Sequence, residues 1–130
     1  MLNGATLCPF NLKEEGVHRL AQWLVAEEVT MIHTVPMVFR HLVAALTGTE
    51  RFPKLRLIRL GGETAHRNDA DSYKRHFDRN CILHLGLGTS ETGTTVQCFL
   101  NRENDCGNSL VPVGYAAEDI EVLLLAVCRT

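Results

Sequence analysis

No apolar run in this chain approaches the roughly 20 residues needed to span a bilayer. The opening Met1-Leu2-Asn3-Gly4 lacks both the basic region and the apolar stretch of a secretory signal. No two of the five cysteines (Cys8, Cys81, Cys98, Cys106, Cys128) are spaced as CxxC. That argues against a zinc or dithiol motif and for reduced thiols in a cytoplasmic protein. Charge of one sign is also missing: the net charge is −2, so there is no broad basic footprint for nucleic acid. The six histidines are scattered, with no HxxxH or HExxH spacing on an expected helix, which speaks against a histidine-held metal. Dinucleotide GxGxxG and lysine-bearing phosphate-loop patterns are absent. Ser90 is not framed as the GxSxG of a hydrolase nucleophile.

What is present suits one soluble globular unit. A chain of 130 residues is one domain or less, and 45% hydrophobic with 22% charged residues is ordinary for such a chain. Ala5-Thr6-Leu7-Cys8 reads as a short strand, ended by Pro9, and residues 11–16 as a polar connection. Val17, Leu20, Ala21, Leu24 and Val25 recur at helical spacing, with Trp23 near the apolar edge. Thr30-Met31-Ile32-His33-Thr34 reads as a buried strand. Pro36 suits the first turn of a helix whose buried stripe is Phe39, Leu42, Val43 and Leu46, with Gly48 placed to end it.

Leu55-Arg56-Leu57-Ile58-Arg59-Leu60 is the next expected strand and stops at Gly61-Gly62-Glu63. A helix over 68–77 turns Ala70, Tyr73 and Phe77 inward. Its charges, Asp69 and Asp71 early and Lys74, Arg75 and His76 late, form a solvated face that complements the helix dipole. Further strands are expected at Cys81-Ile82-Leu83-His84-Leu85, at 95–100 and at 120–125, with a polar loop at 101–109. Alternation of strand and helix predicts an α/β fold, a mostly parallel sheet with flanking helices.

The chemistry concentrates in Gly86-Leu87-Gly88-Thr89-Ser90-Glu91-Thr92-Gly93, which the sequence presents as a loop directly after a strand. Glycines admit close backbone approach. Hydroxyls and main-chain N–H groups hold phosphate oxygens, and a lone carboxylate can hold the magnesium that accompanies them. Ligands of parallel α/β sheets bind beyond the carboxyl ends of strands. This stretch and Gly61-Gly62-Glu63 are therefore expected to meet at one sheet edge. Taken alone, each could still be a simple glycine-rich strand end.

The order of the pieces adds to this. Thr30 through Val35-Pro36, then Leu55 through Gly61-Gly62-Glu63, then residues 86–93, then Val111-Pro112-Val113-Gly114-Tyr115 together resemble the large domain of adenylate-forming enzymes. The resemblance runs from about Gly4 to Leu125. Val111-Pro112-Val113-Gly114 followed by Ile120-Glu121-Val122-Leu123-Leu124-Leu125 looks most like adenylation domains of nonribosomal peptide synthetases.

The resemblance implies ATP-dependent activation of a carboxylic or amino acid to an acyl-adenylate, often passed on to a thiol on a carrier protein. It implies that Gly61, Gly62 and Glu63 line the adenine. It places Leu87, Gly88, Thr89 and Ser90 at the nucleotide, with Thr89 and Ser90 on the α-phosphate, and Glu91 on magnesium. It also implies an acid pocket walled by Thr34, Ile58, Leu60, Gly86, Thr94 and Thr95, suited to a small or polar acid.

Departures qualify it. Leu87 stands where an aromatic residue usually stacks on adenine, and Ser90 where threonine is usual. The lysine-bearing loop, the ribose-binding acid and the small domain with its catalytic lysine are not among these residues. Residues 1–130 are therefore expected to be a single fragment of an AMP-binding adenylation domain, catalytically incompetent alone. An acyl-CoA or aryl-CoA ligase parent, and a non-catalytic nucleotide-binding or scaffold domain, stay open as alternatives.

Overall fold

A computed structural model describes residues 4–103 and 110–125. A five-stranded sheet runs in the order β1 (Met31–Thr34), β2 (Leu57–Gly61), β3 (Ile82–Thr89), β4 (Gly93–Leu100), β5 (Tyr115–Ala116). β1, β2 and β3 are parallel neighbours; β4 and β5 continue the sheet antiparallel. The chain enters through α1 (Leu12–Glu15) and α2 (Val17–Ala26), while α3 (Pro36–Ala45) and α4 (Arg67–His76) form the two crossovers between parallel strands. The α/β expectation holds, with parallel pairing in the crossover half and a hairpin extending the sheet.

Strand alternation sorts the sheet into two faces. In register, Ile58 lies opposite Leu83 and Leu60 opposite Leu85. Both pairs pack with Ala21 and Leu24 of α2, Phe39 and Leu42 of α3, and Ala70 and Tyr73 of α4. Phe77 stacks against Phe52 at 5.2 Å and closes the far end of this core. Tyr73 donates its hydroxyl proton to the Cys81 carbonyl, and burial pushes both Tyr73 and the Cys81 thiol up to about 12. The inward turn expected of Ala70, Tyr73 and Phe77 is what the structure contains. No described helix is long and apolar enough to cross a membrane.

Four expectations need correction. Residues 5–8 form no strand, and 12–15 within the expected polar connection make the short α1. Residues 120–125 also form no strand. Leu124 is 95% exposed. Asp69 is not part of a solvated face: it is 2% exposed and accepts two hydrogen bonds from Arg40, at 2.7 and 2.8 Å. Of the expected loop at 101–109, residues 104–109 lie outside the described residues, as do Cys106 and Cys128.

Candidate active site

Gly61 at the end of β2 is the register partner of Gly86 in β3, so the two glycine-bearing stretches adjoin. Just past this point Gly62 takes a φ of +82°, a left-handed conformation that favours glycine. The turn sends Glu63 back toward α3, where its Oε2 accepts the Met37 N–H at 3.1 Å. A carboxylate there satisfies a helix N-terminal donor and the helix dipole. Arg40 ties the following segment down, donating to the Thr64 carbonyl at 3.1 Å and to both Asp69 oxygens. Asp69 Oδ2 also accepts the His66 N–H at 2.8 Å. Gly61, Gly62 and Glu63 are thus held by a clamp between α3 and α4.

The stretch 86–93 is not an open loop. β3 runs on through Thr89, turns at Ser90-Glu91-Thr92, and returns as β4. Residues Gly88 and Thr94, then Thr89 and Gly93, close the hairpin beyond a bulge after Leu87. Gly88 is required by space: a Cβ there would lie 1.7 Å from the Gly93 carbonyl oxygen. At the tip the Thr92 N–H donates to Thr89 Oγ1 at 3.2 Å, and the Thr89 N–H to Thr92 Oγ1 at 3.3 Å. A hydrogen bond from the Thr89 side chain, then one from its own main chain, holds the exposed Glu91 carboxyl below the usual carboxylate range. The tip therefore presents hydroxyls and an ionised carboxylate. An all-oxygen set with one carboxylate suits magnesium, which leaves its other positions to phosphate and water. No cluster of three His, Cys, Asp or Glu side chains exists among the described residues, so no metal cage competes with that reading.

The six expected pocket residues do not share one surface. Ile58 and Leu60 are 0% and 1% exposed, in the core against the helices, and Thr34 is paired with Leu60 on that same face. Gly86 and Thr94 lie on the opposite face, where a Cβ on Gly86 would meet the Thr94 methyl at 3.2 Å. Thr95 sits at the bulge, its hydroxyl donating to the Leu87 carbonyl at 3.1 Å. Leu87 itself is exposed.

That opposite face carries a row unanticipated from the residue pattern: His33, Arg59, His84 and Phe99, register partners across β1 to β4. His84 is 5% exposed and stacks on Phe99 at 4.5 Å. Burial and then the Arg59 charge push both His33 and His84 below the ordinary histidine value. Both are neutral near pH 7, leaving Arg59 as the cation of the row. Arg59 Nη2 donates to Thr94 Oγ1. The signal for this row was available in the alternation Leu57-Ile58-Arg59-Leu60 and Leu83-His84-Leu85, where a polar residue interrupts an apolar strand.

Known proteins are similar to this chain in sequence or in fold. Bacitracin synthase 3 of Bacillus licheniformis is 28% identical over 128 residues, covering 96% of this chain and 2% of that protein. The crystal structure of IdnL7 superposes with a TM-score of 0.67 at 25% identity, over 78% of this chain and 22% of that one. The Vibrio cholerae adenylation domain AlmE, solved with glycyl-adenosine-5'-phosphate, shares the fold at a TM-score of 0.63 and 21% identity, over 76% of this chain and 18% of that one. The chain thus spans a small part of each protein it matches. The model of the AMP-binding enzyme family matches residues 1–127, nearly everything from the entering segment through the clamp and the hairpin, and the chain belongs to that family.

Proposed function

We propose that residues 1–130 are part of a larger adenylation domain, and that the β3–β4 hairpin is its adenylate site. In the intact enzyme ATP and a carboxylic acid, an amino acid in nonribosomal peptide synthesis, would form an acyl-adenylate that a carrier-protein thiol accepts. The observation that carries this reading is the hairpin tip: hydroxyls on Thr89 and Ser90 and an ionised Glu91, beside the paired Gly61 and Gly86, in a chain of the AMP-binding family.

In this reading Thr89 and Ser90 hold the α-phosphate oxygens, and Gly61, Gly62 and Glu63 border the adenine. The Glu63 carboxylate already accepts the Met37 N–H, so its main chain is the part free to meet the base. Leu87, exposed, offers an apolar surface in place of an aromatic stack. Glu91 holds magnesium, which when bound neutralises charge developing on the phosphate. Hydroxyls pre-set by the Thr89–Thr92 bonds meet that charge without reorganising. The free thiols Cys8 and Cys81 suit a reducing cytoplasm.

The experiment is calorimetric titration of the 130-residue protein with AMP and magnesium. Glu91→Ala is expected to weaken magnesium-dependent AMP binding about tenfold, the scale of one charge-assisted contact. Equal affinity in the variant refutes the role of Glu91. The 130-residue protein alone is expected to show no ATP–pyrophosphate exchange.

A further inference from the structure

Arg59 is a buried-edge cation without an anion. Among the described residues no carboxylate pairs with it, unlike Arg19 with Glu15, Arg40 with Asp69 and Arg67 with Asp71. Its Nε is buried with no hydrogen-bond partner, and so is Nε2 of the neighbouring His84. An unpaired buried polar atom is costly, and the Arg59 Nε donor beside the unpartnered His84 nitrogen marks a place for a polar ligand atom. Gly61 and Gly86 put no side chain on this face, where a Cβ on Gly61 would touch the Gly86 carbonyl oxygen at 3.4 Å and one on Gly86 the Thr94 methyl at 3.2 Å. None of the core residues comes from this face.

We propose that Arg59, flanked by His33 and His84, binds a second carboxylate on the acid, so that the substrate class is a dicarboxylic acid or acidic amino acid. This rests on the adenylation reading above for its first carboxylate and deepens it. The guanidinium is a planar donor fork matched to carboxylate. Nη2 is engaged with Thr94 Oγ1, and Nε is left without a partner. Arg59 bonds to Thr94, whose register partner Gly88 directly precedes Thr89 in β3. One carboxylate of a short acid would sit at the hairpin tip and the other on Arg59. Neutral His84 adds a hydrogen-bond donor or acceptor as its tautomer requires. The cation is what selects: an acid with an apolar tail would leave the guanidinium unpaired, a penalty that discriminates more strongly than any gain in contact area.

The test compares glutarate with valerate, five-carbon acids that differ in the second carboxylate, titrated into the 130-residue protein while the imidazole resonances of His33 and His84 are followed. Glutarate is expected to bind at least tenfold more tightly than valerate. Arg59→Ala is expected to reduce glutarate to the level of valerate, and Arg59→Lys to keep an intermediate preference, since an ammonium supplies charge without the fork. Equal binding of the two acids, no binding of either, or a preference that survives Arg59→Ala overturns the proposal. A loss of AMP affinity in Arg59→Ala that matches the loss of glutarate also overturns it, by assigning the guanidinium to phosphate. A blank AMP titration with an intact, Arg59-dependent glutarate preference leaves the anion site standing and removes the adenylate reading. AMP binding with no distinction between the acids does the reverse.

Discussion

Replacing Gly88 with alanine tests the hairpin geometry on which the phosphate reading depends. The added carbon would lie 1.7 Å from the Gly93 carbonyl oxygen, 2.7 Å from its carbonyl carbon and 2.9 Å from the Thr94 Cα. Close carbon–oxygen contacts sit at about 3.3–3.6 Å, so the strands must part by about 1.5 Å at this point. All three clashing atoms are backbone, so no rotamer change relieves them. Parting the strands forfeits the pairing of Gly88 with Thr94 and of Thr89 with Gly93. At about 1 kcal/mol per hydrogen bond, with about 1 kcal/mol or more of overpacking, the loss is about 2–4 kcal/mol.

Gly86→Ala is the control, because its carbon meets the Thr94 methyl at 3.2 Å and Arg59 Nη2 at 3.7 Å, both side-chain atoms that can yield. Its strain is offset by the reduced freedom of the unfolded chain, so the net change is within about 1 kcal/mol. Thermal unfolding followed by circular dichroism should place Gly88→Ala about 10 °C below the unaltered protein and Gly86→Ala within about 4 °C of it, at roughly 4 °C per kcal/mol for a chain of this size. Magnesium-dependent AMP binding should vanish in Gly88→Ala. Equal melting temperatures for the two variants would refute the close approach of β3 and β4.

Two further variants probe the frame around the site. Arg40→Ala strips two charged donors from the buried Asp69 carboxylate and leaves it the His66 N–H. With Arg40 itself 42% exposed, the cost is placed at about 2–3 kcal/mol, at the lower end for a broken buried pair, and denaturant unfolding in a double-mutant cycle with Asp69→Ala should show strong coupling. Glu50 has its carboxyl lowered to about 2 by hydrogen bonds from main-chain groups, its own and those of Thr47 and Gly48, and from the Thr47 side chain. A depressed folded-state value means stability that is present above the ordinary 4.5 and lost as pH falls toward about 2. The stability advantage of the unaltered protein over Glu50→Gln should therefore shrink across that window; an advantage independent of pH contradicts the bonding.

Local patterns made much of the fold legible. Helical periodicity located α2, α3 and α4, and the inward set Ala70, Tyr73 and Phe77 followed from spacing alone. The strands that feed the two glycine-bearing stretches were visible because each has a short apolar run that meets a glycine, at Gly61 in β2 and at Gly86 within β3. Non-local pairing was not legible. Glycines at 86, 88 and 93 read as a loop, whereas β4 returns alongside and makes a hairpin of them. Asp69 is buried only because Arg40, 29 residues away, comes to meet it. The face of β2 was the subtlest point. Ile58 and Leu60 face the helices, while by strand alternation Arg59 and Gly61 face the other way, paired with His84 and Gly86. The run 120–125 has strand-type side chains but no partner among the described residues, and composition carries no information about partners.

The central claim is that the hairpin tip receives the adenylate. Its most direct measurement is a map of main-chain amide resonances during titration with AMP and magnesium. The account predicts that the largest shifts fall on Thr89, Ser90 and Glu91, with a second group at Gly61, Gly62 and Glu63, and that the Glu91 shift depends on magnesium. Shifts centred instead on the cleft between α3 and α4 at Val43 and Ser72, or no shift at the hairpin at saturating AMP, would contradict it.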